Sequence, residues 1–310
     1  MELRTVDVII PAYKPDDRFI RLLELLSRQT YEISHVIVVN TGREYYEKFM
    51  ESHRNPIPRD RYVIKHITPD EFDHAGTRKM AVDELSHSDV FVMMTQDAIP
   101  YDEQLIASLV APLSDEVAVS YARQLPAPGA TLAESYVRSF NYPDESRLKT
   151  QADIDELGIK TYFCSDVCAA YNREIYDKLG GFIDRAIFNE DMVYAAGAVQ
   201  RGYMVSYTAE ARVYHSHNYT PMEQFHRNFD LAVSQVDHPE VFQGLKSEGE
   251  GMKLVKGCIG HMLDKHKPWL IPGFVLNCAG RFMGFKLGRM YKKLPDKVIR
   301  WATSNINYWK

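Results

Sequence analysis

Val90-Phe91-Val92-Met93-Met94-Thr95-Gln96-Asp97-Ala98 is the stretch that decides how the rest of the chain reads. Five apolar residues in a row suit a strand buried on both faces, as in the parallel sheet of an α/β protein. The run breaks off in Thr95-Gln96-Asp97, at the C-terminal end of the strand, where such sheets bind ligands. Asp97 supplies the kind of oxygen that a hard cation bridging a diphosphate requires. A carboxylate here also suits a turn, or the cap of a helix that begins near Asp102.

Closer to the start, Val6–Ile10 is a short apolar strand that stops at Pro11-Ala12-Tyr13-Lys14-Pro15. Asp16 or Asp17 suits the N-cap of a helix with apolar Ile20, Leu23 and Leu26. His35–Val39 is a second strand, ending in Asn40-Thr41-Gly42. Strand, helix and strand with short links make a βαβ unit, so a parallel sheet is expected. The polar strand ends, with Pro11, Tyr13, Asn40 and Thr41, suit a nucleotide site, although a plain strand-to-helix loop has the same composition.

Arg61–Ile67 gives a third strand. Phe72-Asp73-His74-Ala75-Gly76-Thr77-Arg78-Lys79 then leads into a helix over Met80–Leu85. Gly76 at a helix start, beside Arg78 and Lys79, can offer N–H groups and cations to a phosphate; a solvated helix cap is the simpler reading. Beyond Asp97 come an amphipathic helix at Tyr101–Leu113 and a strand at Val117–Tyr121. Leu125–Ile159, with a mixed helix around Leu132–Phe140, is otherwise irregular enough to be a binding loop. Strand-like residues return at Thr161–Tyr171, and the helix Arg173–Leu179 is stopped by Gly180-Gly181.

Asn189-Glu190-Asp191 opens a helix with apolar Met192, Val193, Ala196 and Val199. Paired acids at a helix start are favoured by the macrodipole alone, yet this is one of few places for a carboxylate base. Tyr203–Tyr207 and Ala211–Tyr214 read as two short strands, followed by His215-Ser216-His217. Of the two imidazoles, only one is expected to meet a metal. A structural role for either one is the commoner case.

The chain has 310 residues, with 45% hydrophobic and 25% charged residues, which describes an ordinary globular protein. Cys164, Cys168, Cys258 and Cys278 form no CxxC pair, so a reducing, cytoplasmic setting is expected. Met1-Glu2-Leu3-Arg4 runs into the strand pattern without a signal peptide. The longest apolar candidate, Trp269–Ala279, is broken by Pro272-Gly273 and is too short to span a membrane. The net charge of −5 hides an asymmetry: residues 251–310 carry twelve Lys or Arg against two acids. An acidic body is thus followed by a basic tail, which argues against nucleic-acid binding by the protein as a whole.

Taken in order over residues 4 to 220, these motifs resemble glycosyltransferase family 2, the inverting enzymes with a GT-A fold. Val8-Ile9-Ile10-Pro11-Ala12-Tyr13-Lys14 is similar to the family's opening strand and nucleotide loop. Val36-Ile37-Val38-Val39-Asn40-Thr41-Gly42 is similar to its second strand, with Asn40 in place of the usual acid. Thr95-Gln96-Asp97 is similar to the Asp-X-Asp metal motif, with Thr in place of the first Asp. Gly180-Gly181-Phe182 followed by Asn189-Glu190-Asp191 is similar to the acceptor-side helix and its Glu-Asp base motif. The run from Phe72 to Lys79, with Phe163-Cys164-Ser165-Asp166 and His215-Ser216-His217, is similar to rhamnosyltransferases that use dTDP-L-rhamnose, most nearly those that build rhamnose polysaccharides of Gram-positive bacterial cell walls on a lipid carrier.

The resemblance implies an α/β, Rossmann-like, mostly parallel sheet over residues 1–221 and a helical region over residues 222–310. It implies Asp191, or else Glu190, as the base, and Pro11, Tyr13, Asn40, Thr41, His74, Gly76, Arg78, Lys79, Gln96 and Asp97 around the donor. Ser165 and Asp166 would meet the acceptor, a lipid-linked saccharide. Asp97 with His215 or His217 would hold Mg²⁺ or Mn²⁺. Transfer of another hexose by the same family, or a non-catalytic subunit that binds sugar nucleotides, remain the alternatives. A nucleotidyltransferase would need a glycine-rich loop after the first strand, and Pro11–Pro15 has no glycine.

The tail reads as helices over Met222–Val236 and Val241–Leu263, then a basic amphipathic helix over Arg281–Leu294. On a wheel Arg281, Lys286, Arg289, Lys292 and Lys293 share one half, and Met283, Leu287, Met290, Tyr291 and Leu294 the other. Phe282 and Phe285 fall on the basic half. Such a helix suits an anionic membrane surface, or packing on the catalytic body. The expectation is a peripheral protein on the inner face of the cell membrane, with a homo-oligomer left open.

Overall fold

The computed structural model describes residues 4–244 and 248–310. Met1–Leu3, and the part of the expected Val241–Leu263 helix at Leu245–Ser247, lie outside the described residues. Nine strands are found among the described residues: β1 (Val6–Tyr13), β2 (His35–Thr41), β3 (Tyr62–Ile67), β4 (Val90–Met94), β5 (Ile99–Pro100), β6 (Val117–Leu125), β7 (Arg147–Lys149), β8 (Cys168–Asn172) and β9 (Met204–Tyr214). The helices of the first half are α1 (Asp17–Leu26), α2 (Arg43–Met50), α3 (His74–Leu85), α4 (Leu105–Val110), α5 (Leu132–Asn141) and α6 (Ile154–Leu157). Those of the second are α7 (Arg173–Leu179), α8 (Glu190–Gln200), α9 (Pro221–Asp237), α10 (Pro239–Phe242), α11 (Glu248–Asp264), α12 (Ile271–Gly288) and α13 (Asp296–Ala302).

The chain folds as two units. The first contains the chain up to Leu125 with Tyr142–Arg185 and Glu190–His215; the second contains Pro126–Asn141, Ala186–Asn189 and Ser216–Lys310.

In the first unit the strands order as β3-β2-β1-β4-β8-β6-β9-β5, with β7 beside β9. The βαβ half is parallel, as the short strand–helix–strand links require. From β4 outward the sheet is mixed rather than mostly parallel: β8 runs antiparallel to both β4 and β6, and β6 pairs parallel with β9. β4 is buried along its whole length, as its apolar run demands. One face of the sheet packs Ile10, Phe19, Leu22, Val38 and Val92. An aromatic cluster with Phe91 stacked on Tyr171 at 5.0 Å fills part of the other.

Three local readings change. β1 continues through Pro11 to Tyr13, because the β1–β4 ladder ends at Ile9–Met93 and a missing N–H costs no bond there. The helix expected at Tyr101–Leu113 shrinks to α4, since the Asp102 carboxylate caps the Gln104 N–H at 3.0 Å and takes Arg212 at 2.7 Å, holding that segment as a turn. The two short strands near the end are one, β9, whose pairing with β6 jumps from Thr208 to Arg212, so it bulges where the sequence suggested a break.

In the second unit α12 lies along α9. Gly280, Gly284 and Gly288 come one helical turn apart and set the α12 backbone against the carbonyls of Pro221, Phe225 and Phe229. Pro272 and Gly273 sit in the first turn of α12, where a proline costs nothing; they start the helix rather than break it. The helix expected at Arg281–Leu294 therefore begins ten residues earlier and ends at Gly288. Leu287, Tyr291 and Leu294 turn inward onto Phe225, Phe229 and Val233, while Val275, Leu276, Phe282 and Met283 face outward.

Candidate active site

In the first unit, the ends of β1, β2 and β4 meet as the topology dictates. The Gln96 side chain clamps the backbone of Tyr13, accepting from its N–H at 3.0 Å and donating to its carbonyl at 2.9 Å. Tyr13 and Thr41 close the β1–β2 ladder, two pairs beyond Pro11 and Val39. Tyr13 meets Tyr45 edge to face at 5.8 Å, and the Lys14 ammonium lies over both rings. Tyr45 is a contributor that sequence reading missed; nothing marks it beyond its place one turn into α2. Asn40 is buried, donates to the Gly42 carbonyl at 3.1 Å and faces His66 Nδ1 at 3.1 Å.

Asp97 stands beyond the end of β4, with Arg18 Nη1 at 3.9 Å and His215 Nε2 at 3.6 Å from its two oxygens. His215 Nδ1 lies 3.1 Å from Gln124 Oε1, and the Gln124 amide donates to Ser165 Oγ at 3.0 Å. That bond puts the Nδ1 proton towards Gln124 and turns the Nε2 lone pair to Asp97, the arrangement that metal-ligating histidines share. A carboxylate oxygen and an imidazole nitrogen at this spacing fit two adjacent positions around one divalent ion. Gln124, the third group, was not foreseen, because a glutamine near the end of a strand carries no signal of its own. His217 belongs to the second unit, where it stacks on Tyr219 at 4.9 Å.

The second cluster is built on α3 and α8. Asp73 caps α3 and accepts from the N–H groups of Ala75 at 3.0 Å and Gly76 at 2.9 Å, so those donors are already occupied. A Cβ on Gly76 would press on the Asp184 carbonyl, and Lys79 pairs with the Asp184 carboxylate. His74 and Arg78, one turn apart, point to α8: His74 Nδ1 is 2.7 Å from Glu190 Oε2, and Arg78 Nε is 3.2 Å from Glu190 Oε1 and 3.4 Å from Asp166 Oδ2. Arg78 Nη1 also donates to the His74 carbonyl at 2.7 Å. Asp166 takes the Tyr171 hydroxyl at 2.5 Å, and its own N–H is given to Asp191 Oδ2 at 3.0 Å. Arg78 is thus buried among carboxylates.

Three acids therefore share one arginine and one histidine, and their environments separate them. Burial pushes Glu190 up, but the charges of His74 and Arg78 outweigh it and hold the carboxyl down at about 2. Asp191, only half-buried, is pushed up to about 7 by desolvation and by the Glu190 charge beside it. Burial, then Asp191 and Glu190, raise Asp166 well above the usual range. Neighbouring acids driven apart in this way are how sites assign one group to proton transfer.

The model of Glycosyl transferase family 2 matches residues 7–180. The chain belongs to glycosyl transferase family 2. This glycosyltransferase is 37% identical over 306 residues to the O-antigen chain rhamnosyltransferase RfbN of Salmonella typhimurium, covering 98% of the chain and 96% of that protein. It is 35% identical over 305 residues to the O-antigen chain rhamnosyltransferase WbaN of Salmonella anatum, at 97% and 95% coverage. Among solved structures, the mannosyltransferase PcManGT of Pyrobaculum calidifontis, solved with GDP-Man and Mn²⁺, superposes with a TM-score of 0.54 at 15% identity, over 99% of this chain and 85% of that one. GalNAc-T7 with UDP, GalNAc and Mn²⁺ gives 0.51 at 13% identity, over 86% and 58%. The glycosyltransferase has the expected GT-A fold, followed by a helical C-terminal region, and no helix among the described residues is long and apolar enough to cross a membrane.

Proposed function

We propose that the protein is an inverting rhamnosyltransferase that moves L-rhamnose from dTDP-β-L-rhamnose to a hydroxyl of a lipid-linked saccharide in surface polysaccharide synthesis. The observation that carries this reading is identity above one third, over nearly the whole of both chains, to two O-antigen rhamnosyltransferases. Asp191 takes the acceptor hydroxyl proton as that oxygen attacks the anomeric carbon, and the bond from that carbon to the diphosphate breaks on the opposite face. Near pH 7 this carboxyl is poised both to accept a proton and to release it. Glu190, ionised and spanned by His74 and Arg78, keeps Asp191 poised. Arg78 works through the acids, not on the donor phosphates.

Asp97 and His215 would hold Mg²⁺ or Mn²⁺; the imidazole favours Mn²⁺. The bound ion supplies charge neutralisation for the departing diphosphate. Tyr13, Tyr45, Pro11, Asn40 and Thr41 form the nucleotide end, and Ser165 and Asp166 the acceptor end. The outward row Val275, Leu276, Phe282 and Met283 of α12, with exposed Trp269 before it and Lys286, Arg289, Lys292 and Lys293 after it, suits the inner face of an anionic membrane.

A panel of sugar nucleotides with purified protein tests the reading. dTDP-L-rhamnose should be consumed in preference to hexose donors, a chelator should stop turnover, and Asp97→Ala should lower it about 10³-fold. Preferred use of a UDP- or GDP-hexose, or turnover indifferent to chelation, would sink it.

A further inference from the structure

The second unit contains a half-open cavity that the transfer chemistry leaves unused. Glu134 on α5, Tyr219 and Gln224 at the start of α9, and Asn277 and Arg281 on α12 contribute to its wall. Asn277 and Arg281 are one helical turn apart, so both present to the same side.

Arg281 has no ion-pair partner among the described residues of this wall. Glu134 is taken by Arg138 on its own helix at 2.8 Å. Arg227 stacks over Phe188 at 5.1 Å and Tyr219 at 5.0 Å. Among the described residues no carboxylate pairs with Arg281 and no hydrogen bond to its guanidinium is formed, although burial disfavours its charge. The nearby Arg138 and Arg227 add to the unfavourable charge around Arg281. Asn277 Oδ1 is buried with no hydrogen-bond partner. Buried polar groups are nearly always satisfied, so the cavity lacks an anion for Arg281 and a hydroxyl or N–H donor for Asn277.

We infer that this cavity binds a sugar phosphate: phosphoryl oxygens on Arg281 and a ring hydroxyl on Asn277 Oδ1, with the Tyr219 ring as an apolar wall. A single glycosyl phosphate brings both missing partners. The assignment rests on the lipid-linked acceptor of the proposed function, whose first sugar carries such a phosphate. The cavity would then hold the carrier end of the acceptor.

Calorimetric titration of the full chain with a hexose 1-phosphate, the matching methyl hexoside and inorganic diphosphate tests this without any donor present. The hexose 1-phosphate should bind about tenfold or more tighter than the methyl hexoside, and R281Q should remove that gain. N277L should weaken the hexose 1-phosphate and leave inorganic diphosphate unchanged. R281M should melt at the wild-type temperature or above it, because the charge it removes has no partner in the fold. Equal binding of the two hexose ligands, equal binding by wild type and R281Q, or tighter binding of bare diphosphate would overturn the assignment. A lower melting temperature for R281M would overturn it too, by making Arg281 structural. Because no transfer is measured, failure of the rhamnose reading would show separately, in the donor panel.

Discussion

The two units carry inverse charge arrangements. In the first, Asp166, Glu190 and Asp191 crowd around Arg78; in the second, Arg138 and Arg227 lie near Arg281, and Glu134 is held by Arg138. Surplus acid does not leave every carboxylate ionised: burial, with the Glu190 charge beside it, lifts Asp191 into the range where protons are exchanged in water. Surplus cation has no such outlet, since a guanidinium does not titrate in any ordinary range, and it is left to an anion from outside. The same imbalance with opposite sign thus gives a base in one place and a binding site in the other.

Asp191→Asn tests the acid-rich side most severely. Turnover should drop by about 10²–10⁴-fold, the share of a positioned proton acceptor. The wild-type kcat should fall as pH drops through about 7, because the acceptor form of Asp191 is lost as its raised carboxyl is protonated. If Glu190 were the base, its carboxyl near 2 would leave the rate flat across that window. A pH profile flat from 8 to 5 would therefore move the role to Glu190 and break the first half of the comparison.

Arg78→Met should act on stability and pH profile together. Taking one partner from a buried ionic cluster costs about 3–5 kcal/mol, read by chemical denaturation. The Arg78 charge pulls Asp191 down, so its loss should move the acid limb of kcat to higher pH. A stable variant with an unmoved limb would mean that Arg78 does not set the base.

Much of the first unit could be read from the sequence because its chemistry sits where local patterns end. The apolar run before Thr95, the βαβ spacing and the paired acids of α8 all mark strand ends or helix starts. What could not be read was direction. Arg78 and Gly76 looked like a phosphate cradle, but whether an arginine turns to a ligand or to an acid 112 positions further on depends on tertiary packing alone. Gln124 and Tyr171 matter through the register of β6 and β8, and no residue type announces that. In the tail, Pro272 reads as a breaker, but a first-turn proline begins helices. A wheel over Arg281–Leu294 leaves out the Gly280, Gly284 and Gly288 spacing, present in the sequence, that fixes the inner face of α12.

That spacing gives the smallest expected effect, and it bears on the cation-rich side. Arg281 and Asn277 ride on α12, so the cavity exists only while α12 lies close against α9. An alanine Cβ at Gly284 would press into the Phe225 carbonyl, whereas one at Gly273 would meet nothing within 4 Å. Gly284→Ala should therefore cost about 1–3 kcal/mol through overpacking, despite the better helix propensity of alanine. Gly273→Ala should be neutral or stabilise by up to about 1 kcal/mol, since only propensity acts there. Melting curves of the two variants check this, and equal shifts would show that close helix contact is not what holds the arginine-bearing face in place. If Gly284→Ala also weakens hexose 1-phosphate binding while Gly273→Ala does not, the charge surplus is held in position by a backbone-to-backbone contact, as the proton-accepting surplus is held by Arg78.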